Sequence, residues 1–424
     1  ERKPKKPQKS STTIFTNKSD AALKILFCLN NFPEVSETFI LNQIEGLTGL
    51  GHDVSVLALR ASNANQSKIY NHLMHSGKIH SVGSPKNKLK KYLFTLWLWL
   101  THCRKKGAPF SKTFLKSIFQ NSPERFGIFI KLTELGKFDA AIAHYGTVAN
   151  IFIDFKQLNP SARFLVFFHG FDMSATVKKY GPSIYKDIFH TADVFLPISK
   201  HWRNALLALG APEQKLEVFH MGINPNHFAF RFRRADPGTP MKILSVARMV
   251  DKKGLDDALK AVALANKTHT ISYTIIGDGP NKEKILCLIR SLRLESSVAL
   301  LGSIPNEAVR LHYEASDIFL LPSKTDTKSG DQEGIPVVLM EAMAQGIPVI
   351  STTHSGIPEL IIDGETGWLA PENNPDALYQ KITEIIRNPE EANRRVQRAR
   401  EKVIEEFNIN RLTIALNRIL NAER

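Results

Sequence analysis

Cysteine is almost absent from this chain of 424 residues. Cys28, Cys103 and Cys287 are few, odd in number and without CxxC spacing, which argues against a structural zinc or a disulfide framework and for a reducing compartment. Long apolar runs are missing as well. The longest of note, YLFTLWLWL at 92–100, falls far short of the ~20 residues that a spanning helix needs, so no transmembrane segment is expected. No short-period repeat runs along the chain, which sets solenoids aside. Acidic residues are scarce at one end: residues 1–131 hold 21 Lys and Arg against 7 Asp and Glu, a balance of +14 out of the net +15. The basicity therefore belongs to one part of one domain.

What is present reads as a soluble globular protein, with 43% hydrophobic and 23% charged residues. The length exceeds what one core holds, so two domains are expected. Residues 1–22 read as a disordered basic tail without a secretory apolar region. The chain begins at Glu1, which leaves room for a missing initiator or leader. Short apolar strands alternate with helical patterns from 23 to 230, at LKILFCLN, GHDVSVLALR, FDAAIAH, RFLVFFH, DVFLPIS and KLEVFH. RFRRADPGTP at 231–240 interrupts them as a linker. The rhythm restarts over 241–405 with MKILSVAR, SYTIIGDGP, VALLG, DIFLLPS, PVIST and GWLA. A C-terminal helix over 406–424 could return to the first domain. The fold class expected is α/β, two Rossmann-like doubly wound domains facing each other across a cleft, with ligands beyond the carboxyl ends of the strands.

The stretch DQEGIPVVLMEAMAQGIPV at 331–349 places Glu333 and Glu341 in a segment apolar enough to be core. Pro336 suits the first turn of a helix and Gly346 with Pro348 a stop, which predicts a helix from about Pro336 to Gln345. Its start would offer free N–H groups to an anion, flanked by two carboxylates that accept hydrogen bonds from hydroxyls. At the end of MKILSVAR, Arg248 and Lys253 suit a diphosphate, while Lys252 reads as solvated. Gly277 and Gly279 in IIGDGP make a tight turn that lends only supporting evidence for phosphate. In the first half His144 and His169 end strands, His169 beside Gly170 and Asp172, and Ser36, Glu37 and Thr38 occupy the loop after the first strand, where capping is their simplest role.

VARMVDKKG, IIGDGP, LGSIPNEAV, ASDIFLLPS, EGIPVVLMEAMAQGIPVI and GIPELIIDGETGWL resemble the retaining glycosyltransferases of family 4, of GT-B fold. In the first half FPEVSETFILNQI, HYGT, FHGFD and VFHMGINPNHF are similar to bacterial exopolysaccharide and lipopolysaccharide-type members. The resemblance implies that Glu333 binds hydroxyls of the donor sugar and Glu341 those of the ribose. Gly334 and the helix-start amides near Ile335 and Val337 would meet the phosphates, Arg248 and Lys253 the departing diphosphate, and the backbone at Ser303 and Ile304 the base. His169 would contact the donor sugar near the reacting carbon. Retention, with no cofactor and no metal, is implied too, and the chain contains no Asp-x-Asp pair. Two departures stand out: TDTKSGDQ before Glu333 is longer and more polar than in many members, and Ser355 stands where a second glycine is common.

The function expected is transfer of a sugar from a nucleotide-diphosphate sugar to a glycan or lipid-linked acceptor in cell-surface polysaccharide synthesis. The alternative is a silent nucleotide-sugar-binding module of an assembly complex. An epimerase fits the paired-glutamate segment less well, and a nucleic-acid binder leaves the glutamates without purpose. The basic, aromatic region 84–119, with Trp97 and Trp99 among Lys90, Lys91, Arg104, Lys105 and Lys106, suits an anionic membrane surface, so the location expected is cytoplasmic, peripheral on the inner face of the membrane.

Overall fold

The structure, a computed structural model, describes residues 21–34, 37–62, 68–85, 87–106, 115, 124–233 and 238–422, with the side chains of residues 88 and 102–106 left outside. The expected basic tail, but for its last two residues, and Ser36 lie outside the described residues. Strands β1 (Lys24–Phe32), β2 (Asp53–Ala61), β3 (Ile79–Ser81), β4 (Ala140–His144), β5 (Arg163–Phe168) and β6 (Val194–Pro197) form one sheet in the order 3-2-1-4-5-6. Strands β7 (Met241–Val246), β8 (Ile271–Ile276), β9 (Val298–Gly302), β10 (Ile318–Leu320), β11 (Val349–Thr352) and β12 (Trp368–Ala370) form a second, in the order 12-11-10-7-8-9. Read from its first strand, the second sheet repeats the order of the first. Every strand pairing within both sheets is parallel. Parallel strands covered by helices on both faces must be apolar throughout, and β4 is buried along its whole length.

Two expectations need correction. KLEVFH is not a regular strand: its first residue ends a 3-10 turn at Glu213–Lys215, and beyond it the backbone follows β6 through one isolated bridge, Phe195 with Leu216, and the bonds of Glu217 N–H to the Phe195 carbonyl (3.0 Å) and Phe219 N–H to the Pro197 carbonyl (2.9 Å). It lines the sheet edge without forming a continuous ladder. The strand β3 went unseen in the sequence, because IHS is three residues long and no apolar run marks it.

The chain crosses back at its end. Ile223 and Phe407 meet through an N–H···O bond of 2.9 Å, and the helix Ile409–Asn421 then lies on the helix Thr38–Gly49. Leu416, Ile419 and Leu420 join the first core. Gly46 permits this approach, since a Cβ there would stand 2.4 Å from the Thr413 hydroxyl. The described part of the connecting segment is also fixed, with Arg233 buried and donating to the Glu314 carbonyl at 2.7 Å.

A second tie between the halves is a carboxylate. Glu359, on the short helix Ile357–Leu360 of the second domain, accepts the backbone N–H groups of Lys200 (2.9 Å) and His201 (3.1 Å), at the start of the helix Lys200–Ala208 of the first. Ser199 caps the same end through Trp202 N–H. His220 adds a contact of 3.2 Å to Glu359. Burial pushes the Glu359 carboxyl up, but the bonds from His220 and the two amides outweigh it and hold it below the ordinary value.

Glu359→Ala is expected to destabilise the chain by about 1–2 kcal/mol in urea unfolding at neutral pH. A depressed carboxylate stabilises above its unfolded pKa, so the gap between wild type and variant should close as pH falls below 4.5. A gap that stays constant with pH would show that the carboxylate charge is not what ties the domains.

Candidate active site

The segment EGIPVVLMEAMAQG folds locally as expected. Pro336 is the N-cap of the helix Val337–Ala344, and Gly346 leaves it at φ +74°. Leu339, Met340, Ala342, Met343 and Ala344 are fully buried, and a helix apolar on so many sides belongs in a core. Glu341 survives there because the Tyr313 hydroxyl donates to its Oε2 at 3.0 Å. Burial raises its pKa, and that bond moderates the rise. Its other oxygen remains an acceptor for a ligand hydroxyl.

Glu333, in the loop before this helix, is 8% exposed. Lys253 Nζ lies 3.0 Å from its Oε2, and Lys252 Nζ lies 3.4 Å from Oε1. Burial alone would push the carboxyl up, but the charges of Lys253 and Lys252 prevail and hold it down to about 2. Glu333 is therefore an anion and an acceptor, never an acid, at neutral pH. Its Oε1 has charge contact but no aligned donor, which leaves that oxygen open to a hydroxyl. Lys252 also bridges to Asp331 at 3.0 Å and is largely buried, which corrects the expectation of a solvated lysine. Burial would lower its pKa, and Glu333 with Asp331 raises it instead.

The backbone of Glu333 is clamped at both ends. Its N–H donates to His354 Nε2 (3.0 Å), and its carbonyl accepts the Ser355 hydroxyl (2.7 Å). His354 is buried and its Nδ1 stands 2.6 Å from Glu372, whose other oxygen accepts Thr325 N–H at 2.8 Å. Ser355 sits at φ +50°, a left-handed conformation that glycine adopts more easily. The serine that departs from the family pattern thus supplies a hydrogen bond that glycine lacks. The polar segment TDTKSGDQ forms the neighbouring rim: Gln332 N–H donates to Ser174 Oγ (3.1 Å) and Lys178 Nζ to the Lys328 carbonyl (3.1 Å), both across the cleft.

The first domain meets this loop through His169 and Gly170. A Cβ on Gly170 would stand 2.5 Å from the Gln332 carbonyl, so this glycine lets the two backbones touch, and one on Gly334 would stand 2.3 Å from the Ile198 side chain. His169 is buried, its side chain accepts the backbone N–H of Asp172, and its Nε2 lies 3.2 Å from His144 Nδ1. His144 Nε2 lies 3.0 Å from Gln43 Oε1. An amide oxygen only accepts, so His144 carries its proton on Nε2 and His169 donates from Nε2 to His144. Burial lowers both, His169 to about 3. Both rings are neutral, and His169 has both nitrogens occupied.

His144 was expected at the cleft and is instead fully buried, stacked against Phe167 at 4.6 Å, reaching the site only through His169. Asp172 is also buried, accepting Gly146 N–H and His169 N–H at 2.8 Å each. Burial raises it to about 7 against the pull of those amides, and it braces two strand-end turns rather than facing ligand. Glu37 occupies the N-cap position of its helix without capping it. Burial raises its pKa, and its hydrogen bond with Tyr145 lowers it. Tyr145, at φ +74°, packs its ring 4.4 Å from that of His169.

Arg248 is exposed, and its guanidinium pairs with no carboxylate among the described residues. Gly277 and Gly279 are explained by packing: a Cβ would fall 1.9 Å from the Ala247 carbonyl and 2.6 Å from that of Met249. Ser303 is exposed and Ile304 half-buried on the loop after β9, which the bond from Gly277 N–H to the Gly302 carbonyl (2.8 Å) ties to the GDGP turn. Ile335 is buried and Val337 partly so at the helix start. The structure thus brings Glu333, Lys253, Gly334 and the His169–Gly170 turn together. Tyr145, His354 and Glu372 were missed, Lys252 was set aside as solvated although it adjoins Lys253, and Ser355 was noted only as a departure, although the pair His354–Ser355 follows β11 at its carboxyl end.

Residues 227–402 match the family described as glycosyl transferases group 1, and residues 36–222 match the glycosyl transferase 4-like domain. The chain is 34% identical over 396 residues to the putative colanic acid biosynthesis glycosyltransferase WcaL of Salmonella typhimurium, covering 91% of this chain and 96% of that protein. It is 35% identical over 403 residues to the amylovoran biosynthesis glycosyltransferase AmsK of Erwinia amylovora, with the same coverage of 91% and 96%. Among solved structures it is similar to a glycosyltransferase of Rickettsia africae (TM-score 0.66, 18% identity, 95% of this chain and 100% of that one). It is also similar to HepE of Anabaena in complex with UDP and glucose (TM-score 0.67, 15% identity, 94% and 99%). At such identities the structures speak for the GT-B fold alone.

Ser355→Ala keeps the left-handed strain and loses the clamp bond, so it is expected to cost about 1–2 kcal/mol in urea unfolding. Ser355→Gly relieves the strain and should cost less. If the glycine variant is the less stable of the two, strain at Ser355 is not part of the account.

Proposed function

The chain belongs to the group 1 glycosyl transferases, and from that premise we propose that this glycosyltransferase moves a sugar from a nucleotide-diphosphate sugar to a glycan or lipid-linked acceptor of an extracellular polysaccharide. The observation that carries the reading is Glu333, an anionic acceptor between the domains with Lys252 and Lys253 upon it. Hydroxyls of the donor sugar take Glu333 Oε1, and Glu341 receives those of the ribose. The diphosphate draws Lys253, Lys252 and the unpaired Arg248 toward itself, loosening the ion pairs that hold them when the cleft is empty.

In the transfer the bond from the anomeric carbon to the phosphate oxygen breaks, the phosphate keeps the electron pair, and the acceptor oxygen bonds to the carbon. The acceptor proton needs a base. Glu333 is too weak a base, and His169 is neutral with both nitrogens engaged. With those two set aside, we take the departing phosphate as the base, as the family resemblance implies, with acceptor and leaving group on one face and configuration retained. Three cations on one strand-end loop supply the charge stabilisation that a metal gives elsewhere, so the reaction is read as metal-independent. His169 then contributes shape and ring contact near the reacting carbon. A site of action on the cytoplasmic face of the membrane follows from a lipid-linked acceptor and the basic first domain.

The test is a thermal-shift screen against uridine, guanosine and adenosine diphosphate sugars, followed by donor hydrolysis. Saturation at 100 times the dissociation constant stabilises by about 2.7 kcal/mol. Binding without turnover, with any acceptor supplied, would favour the silent module. Lys253→Ala and Arg248→Ala should each lower turnover by roughly one to three orders of magnitude, and unchanged turnover in both would remove the leaving-group site. Glu333→Gln should lower turnover strongly, whereas Glu341→Gln should mainly weaken donor affinity.

Glu333 stays ionised down to about 2 and His169 stays neutral down to about 3, so neither gives turnover an acid limb near neutrality. Asp172, raised to about 7, is the group expected to give a limb there, and that limb should vanish in Asp172→Asn. A limb abolished by His169→Asn but not by Asp172→Asn would contradict the neutral histidine chain.

A further inference from the structure

Outside the cleft, the helix Lys88–Lys106 presents two unlike faces. Thr95 and Leu98 are buried, and Leu98 packs on Phe126, Phe129 and Ile130, with Phe94 and Trp99 partly buried beside it. Phe126, Phe129 and Ile130 lie on the helix Glu124–Leu135, whose Gly127 makes room for Val82, 2.5 Å from where a Cβ would stand, with Leu98 at an ordinary contact distance of 3.4 Å. On the opposite side Leu89, Leu93, Leu96, Trp97 and Leu100 are 44–69% exposed. At about 100° per residue these five fall within one face of roughly 100°. Scattered exposed leucines need no explanation, but five large apolar side chains in one contiguous stripe do.

Charge identifies the occupant. From residue 54 to residue 123 the sequence has no Asp or Glu, while it holds twelve Lys and Arg. Lys90 is exposed beside the stripe, and Arg104, Lys105 and Lys106 close the helix. Lys91 pairs with Glu124 and Lys78 with Asp53, yet a second copy of this chain would still bring two strongly basic segments together, and a nucleic acid would leave the leucines in contact with phosphate and water. Anionic lipid satisfies both features, headgroups taking the cations and the acyl boundary taking the stripe. No helix among the described residues is long and apolar enough to cross a membrane, so the helix would lie in the surface.

We propose that the exposed face of Lys88–Lys106 docks this protein on anionic lipid, with Leu93, Leu96 and Trp97 entering the interface. This deepens the reading of a transferase acting on a lipid-linked acceptor and specifies which side of the first domain faces the bilayer. It is measured without sugar transfer, so it can fail while donor binding stands.

The experiment is sedimentation of the full chain with vesicles of phosphatidylcholine, and with vesicles in which a third of the lipid is phosphatidylglycerol. Binding is expected to the anionic vesicles only, weakened about tenfold or more by molar salt. The double variant Leu93→Glu, Trp97→Glu should lose about tenfold in binding while keeping its melting temperature and its shift with nucleotide, since both positions are exposed. As a second readout, anionic vesicles should blue-shift the tryptophan emission of the wild type, and Trp97→Phe should reduce that shift. The proposal is overturned if neither vesicle is bound, if neutral vesicles bind equally well, or if the double variant binds like wild type. A lipid-free dimer that the double variant dissociates would also overturn it, assigning the stripe to a second copy.

Discussion

A carboxylate closed off from water must be compensated, and Glu333 organises the cleft for that reason. Its countercharges come from the loop after β7, where Lys252 and Lys253 precede Gly254. That glycine is required in turn, because a Cβ there would stand 1.8 Å from the Pro322 carbonyl after β10. Its backbone is held by His354 and Ser355, from the loop after β11. The first domain closes the site with Gly170. Loops after three strands of one sheet and one strand of the other converge on a single residue.

The two walls differ in electrostatics, and the difference suits the nucleotide sugar proposed as donor. The second domain offers cations and anions: Arg248, Lys252, Lys253, Glu333 and Glu341. The first offers neutral rings, in which His169 and His144 pass a hydrogen bond to Gln43 and pack against Phe39, Tyr145 and Phe167. Protonating either ring would bury an unpaired charge, so the low pKa of His169 follows from the packing. A charged wall suits diphosphate and ribose, and a neutral, shaped wall suits a sugar ring.

Closure between the domains rests on small contacts rather than on one large apolar interface. Glu359 on the start of the helix Lys200–Ala208, Ser174 with Gln332, and the crossing at Phe407–Ile409 are polar or backbone interactions. Such contacts are individually modest and can be exchanged with water, which permits a cleft to open for its ligand.

Much of this could be read along the chain. Eleven of the twelve strands follow apolar runs, and Pro336, Gly346 and the two glutamates mark the helix Val337–Ala344 with its flanking carboxylates. These are local signals, carried by period, turn chemistry and residue type. The errors share a different cause. KLEVFH has a strand's composition but makes only an isolated bridge and two backbone bonds beside β6, His144 and Asp172 look like strand-end ligands but face inward, and Lys252 looks solvated until Asp331 and Glu333 come up to it. Composition and spacing alone therefore determined two doubly wound halves. Which groups are buried, paired or neutral was decided only by tertiary structure, because desolvation and ion pairing depend on residues remote in the chain, and no local pattern carries that information.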